Sequence, residues 1–177
     1  MSNLEVKTTE KGDTYSVALN GSMDEFMNLP ILDVKNFKSV IFDFGQVDSI
    51  NSAGISKWLI WIKDCVRVNP SFAEKLEIIK LPMVIVQQIN MIAGFLPEGA
   101  KVSSFFVPYF CDATEEVSNR LLKCPDNFSI SEPGAAPTFN IPSDIESEDG
   151  VNFEIDVDLT NYCEFLTELQ TCESSVD

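Results

Sequence analysis

The strongest structural signal in the chain lies in residues 40–55, which read VIFDFGQVDSINSAGI. The first half belongs to a mostly apolar run over residues 38–47, typical of a central strand covered on both faces. The second half contains the small residues of the turn 51–54, Asn-Ser-Ala-Gly, which suit the start of a helix. The stretch therefore predicts a buried strand, a turn and a helix.

The helix after this turn is the best defined in the sequence. Asn51 or Ser52 can cap its start, and Asn69-Pro70 marks its end. Its apolar residues recur at helical spacing and form one stripe, which comprises Ile55, Trp58, Leu59, Ile62 and Val66. We expect this stripe to be buried.

Two apolar residues of the same helix fall outside the stripe. Ile60 lies on the opposite side, and Trp61 lies on a flank. They predict either partial burial beneath a neighbouring loop or an apolar contact with a partner or a second copy.

Further elements are predicted on both sides of the central stretch. In chain order they are a hairpin of strands 4–10 and 14–20, a helix of at most two turns within 22–35, a strand at 75–81, a helix from Pro82 to about Ala93, and a strand at 101–110. Pro108 restricts the last strand to a sheet edge or a bulge. The order predicts an α/β (α+β) fold, a mixed sheet with helices packed against it.

Charge divides the chain into two parts. Residues 1–111 hold 12 acidic and 10 basic residues, a net charge of −2, whereas residues 112–177 hold 16 acidic and 2 basic residues, a net charge of −14. This asymmetry predicts one domain over 1–111 and an acidic extension over 112–177. A nucleic-acid partner is not expected, because the chain has no Lys/Arg patch to neutralise phosphates.

The acidic extension has weaker patterns. Residues of about 129–150 are rich in proline and acidic side chains, which predicts a flexible loop. Residues 151–157 alternate like a strand, and Thr160 can cap a terminal helix that reaches Leu169. The acidic run fails as a calcium loop, because Gly150 comes one residue late and Ile155 occupies the position of the required glutamate.

Composition also limits the chemistry. The chain has no histidine, no glycine-rich phosphate loop and no nucleophile with a visible base, so we do not expect an enzyme. Five irregularly spaced cysteines without an apparent export signal predict reduced thiols, with Cys65 in the core. No apolar run is long enough for a membrane helix, which favours a cytoplasmic protein without direct membrane insertion.

The stretch 40–55 resembles the signature of STAS domains, which include anti-sigma-factor antagonists. In that signature an apolar strand leads into Asp-Ser/Thr-Ser/Ala/Thr-Gly-Leu at a helix start, and the predicted element order over about residues 4–110 agrees with the STAS fold. The resemblance implies that Ser52 occupies the place of the phosphoacceptor in partner-switching members. Asn51 departs from the signature, because it replaces the aspartate and its negative charge.

The second half resembles an uncharacterised set of bacterial STAS-like proteins. In those proteins a small ribbon with paired cysteines follows the last strand and ends in a short helix like the segment around Tyr162. A structural zinc normally requires four thiolates, but Thr114 replaces one cysteine and Cys124 lacks the second cysteine of a pair. We therefore expect a ribbon without metal or cofactor.

These observations predict an interaction module for bacterial signalling. It would dock a protein partner such as a kinase or an anti-sigma factor, with a homodimer as a further assembly, through the turn 51–54 and helix 52–69. The contact residues would be Asn51, Ser52, Ala53, Gly54, Ser56, Lys57, Ile60 and Trp61. A phosphate on Ser52 would meet the free amides and positive dipole of a helix start.

Two alternatives to this switch remain open. Ser52 can be a simple helix cap, with Gly54 present only for close packing. The resemblance also implies a different class of protein, an accessory subunit of a lipid-transport ATPase complex. There the helix would be a permanent interface, and Trp58, Trp61 and Ile60 would matter more than Ser52.

Overall fold

The computed structural model describes residues 4–132 and 134–168. The strands are β1 (Leu4–Lys11), β2 (Thr14–Met23), β3 (Ser39–Ile50), β4 (Leu76–Ile79), β5 (Lys101–Val102), β6 (Ser104–Cys111), β7 (Glu116–Lys123), β8 (Phe128–Ser129), β9 (Thr138–Phe139), β10 (Asp144–Glu146) and β11 (Asn152–Ile155). The helices are α1 (Ser52–Val68), α2 (Phe72–Lys75), α3 (Met83–Met91) and α4 (Leu159–Tyr162), and a 3-10 helix spans Glu164–Glu168. The predicted α+β class is confirmed.

The first sheet contains strands β1 to β5 in chain order. β1 and β2 form the predicted antiparallel hairpin, and β2 to β5 run parallel. Gly12 has a φ of +57° in the hairpin turn, a conformation that glycine adopts without a Cβ penalty. The short helix expected within 22–35 is absent, because residues 24–38 form a loop that crosses over α1.

The strand predicted at 101–110 is wrong as a single element. Only β5 pairs with the first sheet, whereas β6 lies in a second, antiparallel sheet of order β10-β11-β6-β7. Pro108 is therefore in an inner strand rather than at an edge. Its carbonyl accepts from Asp156 N, but proline has no N–H to return a bond, and the pairing of β11 with β6 ends one residue earlier, at Ile155.

The acidic extension is more ordered than predicted. The loop expected at 129–150 contains β9 and β10, and residues 147–150 turn the chain from β10 into β11. α4 begins two residues earlier than expected, since Asp158 rather than Thr160 accepts the capping bond from Asn161 N. Leu169 and Cys172, which the sequence analysis also considered, lie outside the described residues.

Both sheets share one hydrophobic core. It includes aromatic residues under α1, such as Phe42 and Trp58, and aromatic residues of the second sheet and terminal helices, such as Phe105 and Phe165. Asn90 on α3 joins the two parts, because it donates to Tyr162 O at 2.9 Å and accepts from Phe165 N at 3.1 Å. The boundary predicted between residues 111 and 112 falls in the β6–β7 hairpin.

The cysteines depart from the prediction at one position. Cys65, Cys111 and Cys163 are free and buried, as expected of reduced thiols. Burial raises the pKa of Cys163 to about 12, so this thiol stays protonated near neutral pH. Cys124 is disulfide-bonded, which overturns the expectation of reduced thiols at this residue.

Candidate functional site

The turn 51–54 joins the end of β3 to the start of α1. Asn51 N donates to Met23 O at 3.1 Å, which ties the turn to the end of β2. The Asn51 side chain accepts from Gly54 N at 2.9 Å and is the helix cap. Of the two candidate caps, the structure therefore selects Asn51 and leaves the Ser52 side chain free of this task.

Gly54 is placed in the turn by close packing. A Cβ at this position would overlap the carbonyl oxygen of Met23, so no larger residue fits without moving the backbone. Gly54 is buried and offers little surface to a partner, contrary to the contact role predicted for it. Its contribution is to let α1 start directly against the end of β2.

Four predicted contact residues of the first helical turns are exposed: Ser52, Ala53, Ser56 and Lys57. The amides of the first two have no acceptor within the helix, because they belong to its first turn. Ser56 Oγ donates to Ser52 O at 3.0 Å, and Lys57 Nζ donates to Met27 O at 3.1 Å. The helix start is therefore both accessible and held in one conformation.

A carboxylate from the β2–β3 loop lies beside the turn. Asn51 Nδ2 donates to Glu25 Oε2 at 3.0 Å. This hydrogen bond lowers the pKa of Glu25 below its ordinary value. Glu25 thus places a negative charge next to Asn51, where the STAS signature has an aspartate. Sequence patterns could not find it, since the two residues are 26 positions apart.

A second polar group lies where β2 and β3 approach the turn. The hydroxyls of Ser22 and Ser49 each donate to Asp48 Oδ1 at 2.9 Å. These bonds lower the pKa of Asp48, with Ser49 contributing most. Asp48 makes no ion pair with any residue in the described ranges. Asp48 therefore remains charged near neutral pH at the end of β3.

Trp61 does not belong to the exposed surface. It is only 7% exposed, and its indole N–H donates to Pro30 O at 2.8 Å. The loop 24–38 covers it, so the burial alternative holds for Trp61 and the contact role predicted for it is wrong. Trp58 is fully buried as well, which removes it from the interface expected of an accessory subunit.

Ile60, unlike Trp61, is exposed to solvent. It is 61% exposed and stands beside the covering loop, on which Phe26 and Ile31 are also exposed. Ile31, Ile60 and Lys57 line a shallow depression of about 290 Å³. Of the two apolar residues outside the stripe, Ile60 alone is available for a contact.

The described parts of the chain offer no set of side chains suited to a metal. No group of three or more His, Cys, Asp or Glu side chains is arranged to hold a metal there. Thr114, which stands in place of a zinc-binding cysteine, instead hydrogen-bonds Cys111 and lowers the pKa of its thiol. Within the same residues, no helix is long and apolar enough to cross a membrane.

No family model matches the chain, and no curated protein matches it either. The STAS resemblance therefore depends on residues 40–55, because the short helix of the expected element order is absent and the strand expected at 101–110 is divided between two sheets.

Proposed function

We propose that this chain is a non-enzymatic interaction module of the STAS type. It docks a signalling protein, such as a kinase or an anti-sigma factor, through the exposed part of the turn 51–54 and the outer face of α1. The observation that carries the proposal is an accessible, firmly capped helix start beside the exposed apolar side chains of Ile60, Phe26 and Ile31. Such a combination of ordered polar and apolar surface suits partner recognition.

A phosphate on Ser52 would act on this surface as a switch. The exposed hydroxyl stands at the first position of α1, where the free amides and the helix dipole favour an anion. Glu25 opposes the added negative charge, because its carboxylate lies against Asn51. Phosphorylation would therefore weaken docking of an acidic partner and strengthen docking of a basic one.

The experiment is a quantitative affinity capture with the full chain and its Ser52→Asp variant. The variant is expected to lose at least one specific protein while it retains its unfolding midpoint. Thr9→Asp is the matched control, since Thr9 is an exposed residue of β1 that carries the same charge change. Equal capture by all three proteins would exclude a switch at Ser52.

The accessory-subunit alternative keeps one supporting observation. The exposed side chains of Ile31 and Ile60, which line one depression, would suit a permanent interface as well as a transient one. A stoichiometric complex that survives detergent extraction, and that Ile60→Asp disrupts but Ser52→Asp does not, would favour this alternative.

Cytoplasmic location is part of the proposal and has one observation against it. Disulfides persist mainly in oxidising compartments, and Cys124 forms one. Thiol labelling in intact cells tests the cytoplasmic location. If Cys124 does not react with the label at steady state because it is disulfide-bonded, a cytoplasmic location is contradicted.

A further inference from the structure

In the first sheet, the second half of β3 is unpaired on one side. β4 pairs with β3 only from Val40 to Asp43, because β4 ends at Ile79. β3 continues to Ile50 with β2 as its partner on one side, and no described strand pairs with its other side. Within residues 45–50, the backbone groups that face away from β2 are therefore presented as they are at the edge of a sheet.

The course of the chain after β4 explains the opening. Lys80 has a φ of +55°, and Leu81 then pairs with Phe105 of the second sheet. The aliphatic part of the Lys80 side chain passes over Gly45, and its ammonium meets Asp43 Oδ2 at 2.6 Å. This ion pair closes the edge at one end, so the open part begins at Gly45.

Side chains already satisfy the first residue of the open edge. Gly45 N donates to Asp43 Oδ1 at 2.8 Å, and Gly45 O accepts from Gln46 Nε2 at 3.1 Å. Neighbouring side chains thus supply at Gly45 the bonds that a paired strand would supply. Beyond Gly45, no described side chain bonds the backbone of residues 47–49.

A groove of about 350 Å³ runs along this edge. Its lining comes from β3, from the start of α3, and from β6 and β7, and includes Val47, Asp48, Met83, Phe106 and Val117. Met83 is 40% exposed and Val117 is 55% exposed. Both are large apolar side chains on the rim of one groove, which marks it as a contact surface.

The groove also carries an uncompensated charge. Among its lining residues Asp48 has the only charged side chain, and its hydrogen bonds come from the neutral hydroxyls of Ser22 and Ser49. A basic residue of a ligand would find a carboxylate that no lysine or arginine of the described chain occupies. The chain's net charge of −16 favours approach of such a ligand.

We propose that this groove binds an extended peptide segment of a partner protein, which adds a strand beside β3 and places a basic residue against Asp48. A strand suits the site because the unpaired side of β3 presents backbone groups that a strand can pair with and a helix cannot. Apolar side chains at alternate positions of the peptide contact Met83 and Val117. This second docking surface is separate from the outer face of α1.

The test begins with a displayed library of random twelve-residue peptides selected on the full chain. Selected sequences are expected to alternate apolar residues and to contain lysine or arginine. A synthetic copy of the best one should slow amide hydrogen exchange at residues 45–50. Failure to enrich any sequence, or protection elsewhere without protection there, overturns the proposal.

Variants then locate the peptide. Met83→Lys and Asp48→Lys should each weaken its binding about tenfold or more, as measured by fluorescence anisotropy. Met91→Lys is the matched control, because Met91 lies at the other end of α3 and is 68% exposed. A peptide with glutamate in place of its basic residue should recover binding to Asp48→Lys.

Two results in this series would overturn the proposal. One is equal loss of affinity in Met83→Lys and Met91→Lys, and the other is unchanged affinity in Asp48→Lys. Ser52→Asp should leave peptide affinity unchanged, so failure of the docking function proposed for α1 would be seen separately.

Discussion

Asn51 performs two tasks with one side chain. Its amide oxygen caps α1, and its amide nitrogen holds the Glu25 carboxylate. Aspartate at this position could cap the helix but could not donate to Glu25. The departure from the STAS signature is therefore accompanied by a carboxylate that arrives from another part of the chain.

The pKa of Glu25 tests this arrangement. In Asn51→Ala the pKa should rise toward its ordinary value, because the hydrogen bond that lowers it is lost. A lowered pKa in the folded state stabilises the protein above the pKa of the unfolded state, and this stabilisation is lost as pH falls through the folded value. Carboxyl NMR titration measures the shift, with Ser52→Ala as the control. An unchanged Glu25 titration in Asn51→Ala would contradict the contact.

Gly54 gives a second test at the same scale. Helix propensity alone favours Gly54→Ala by up to about 1 kcal/mol. Overlap with the Met23 carbonyl opposes it, and forced overpacking typically costs about 1–3 kcal/mol. We expect net destabilisation in urea unfolding, with Ser56→Ala near neutral. A more stable Gly54→Ala would show that the close approach is not required.

At the scale of elements, α1 has one face in the core and one face in solvent. Trp61→Ala should cost about 3–5 kcal/mol, since it removes a buried ring from contact with Phe42, Trp58 and Phe72. Ile60→Asp should change stability by no more than about 0.5 kcal/mol, because Ile60 is exposed. Urea unfolding measures the free energy of unfolding of both variants. Similar losses of stability in the two would contradict a buried face at Trp61 and an exposed face at Ile60.

Sequence patterns predicted the elements with strong local signals. The β1–β2 hairpin, the strand β3 and the helix α1 are confirmed as elements, because apolar periodicity and turn residues act over short distances. The predicted stripe of α1 is confirmed only in part: Trp58 and Ile62 are buried, whereas Ile55, Leu59 and Val66 are half-buried. The second sheet was missed, since the pairing of β6 with β7 and β11 depends on contacts distant in sequence. The exposure of Ile60 and the burial of Trp61 could not be separated either, because a loop without periodicity covers only one of them.

For the whole molecule, the acidic extension is joined to the first part by the shared core, by the pairing of β6 with β7 and β11, and by the hydrogen bonds of Asn90. Asn90→Ala should lower stability by about 1–2 kcal/mol, because it removes two hydrogen bonds to the terminal helices. Amide hydrogen exchange at Tyr162 and Leu166 should become faster. Gln87→Ala, an exposed change on the same helix, is the control. Unchanged exchange in Asn90→Ala would mean that the hydrogen bonds of Asn90 do not help to hold the extension.

The function of the molecule depends on whether the outer face of α1 binds a protein. The most direct measurement is quantitative capture by the full chain and by Ile60→Asp, with Met91→Asp as a control of equal charge change. We predict that Ile60→Asp retains its fold but loses one specific protein by about tenfold or more, about 1.4 kcal/mol in binding free energy. The same proteins in the same amounts with all three baits would contradict docking through α1.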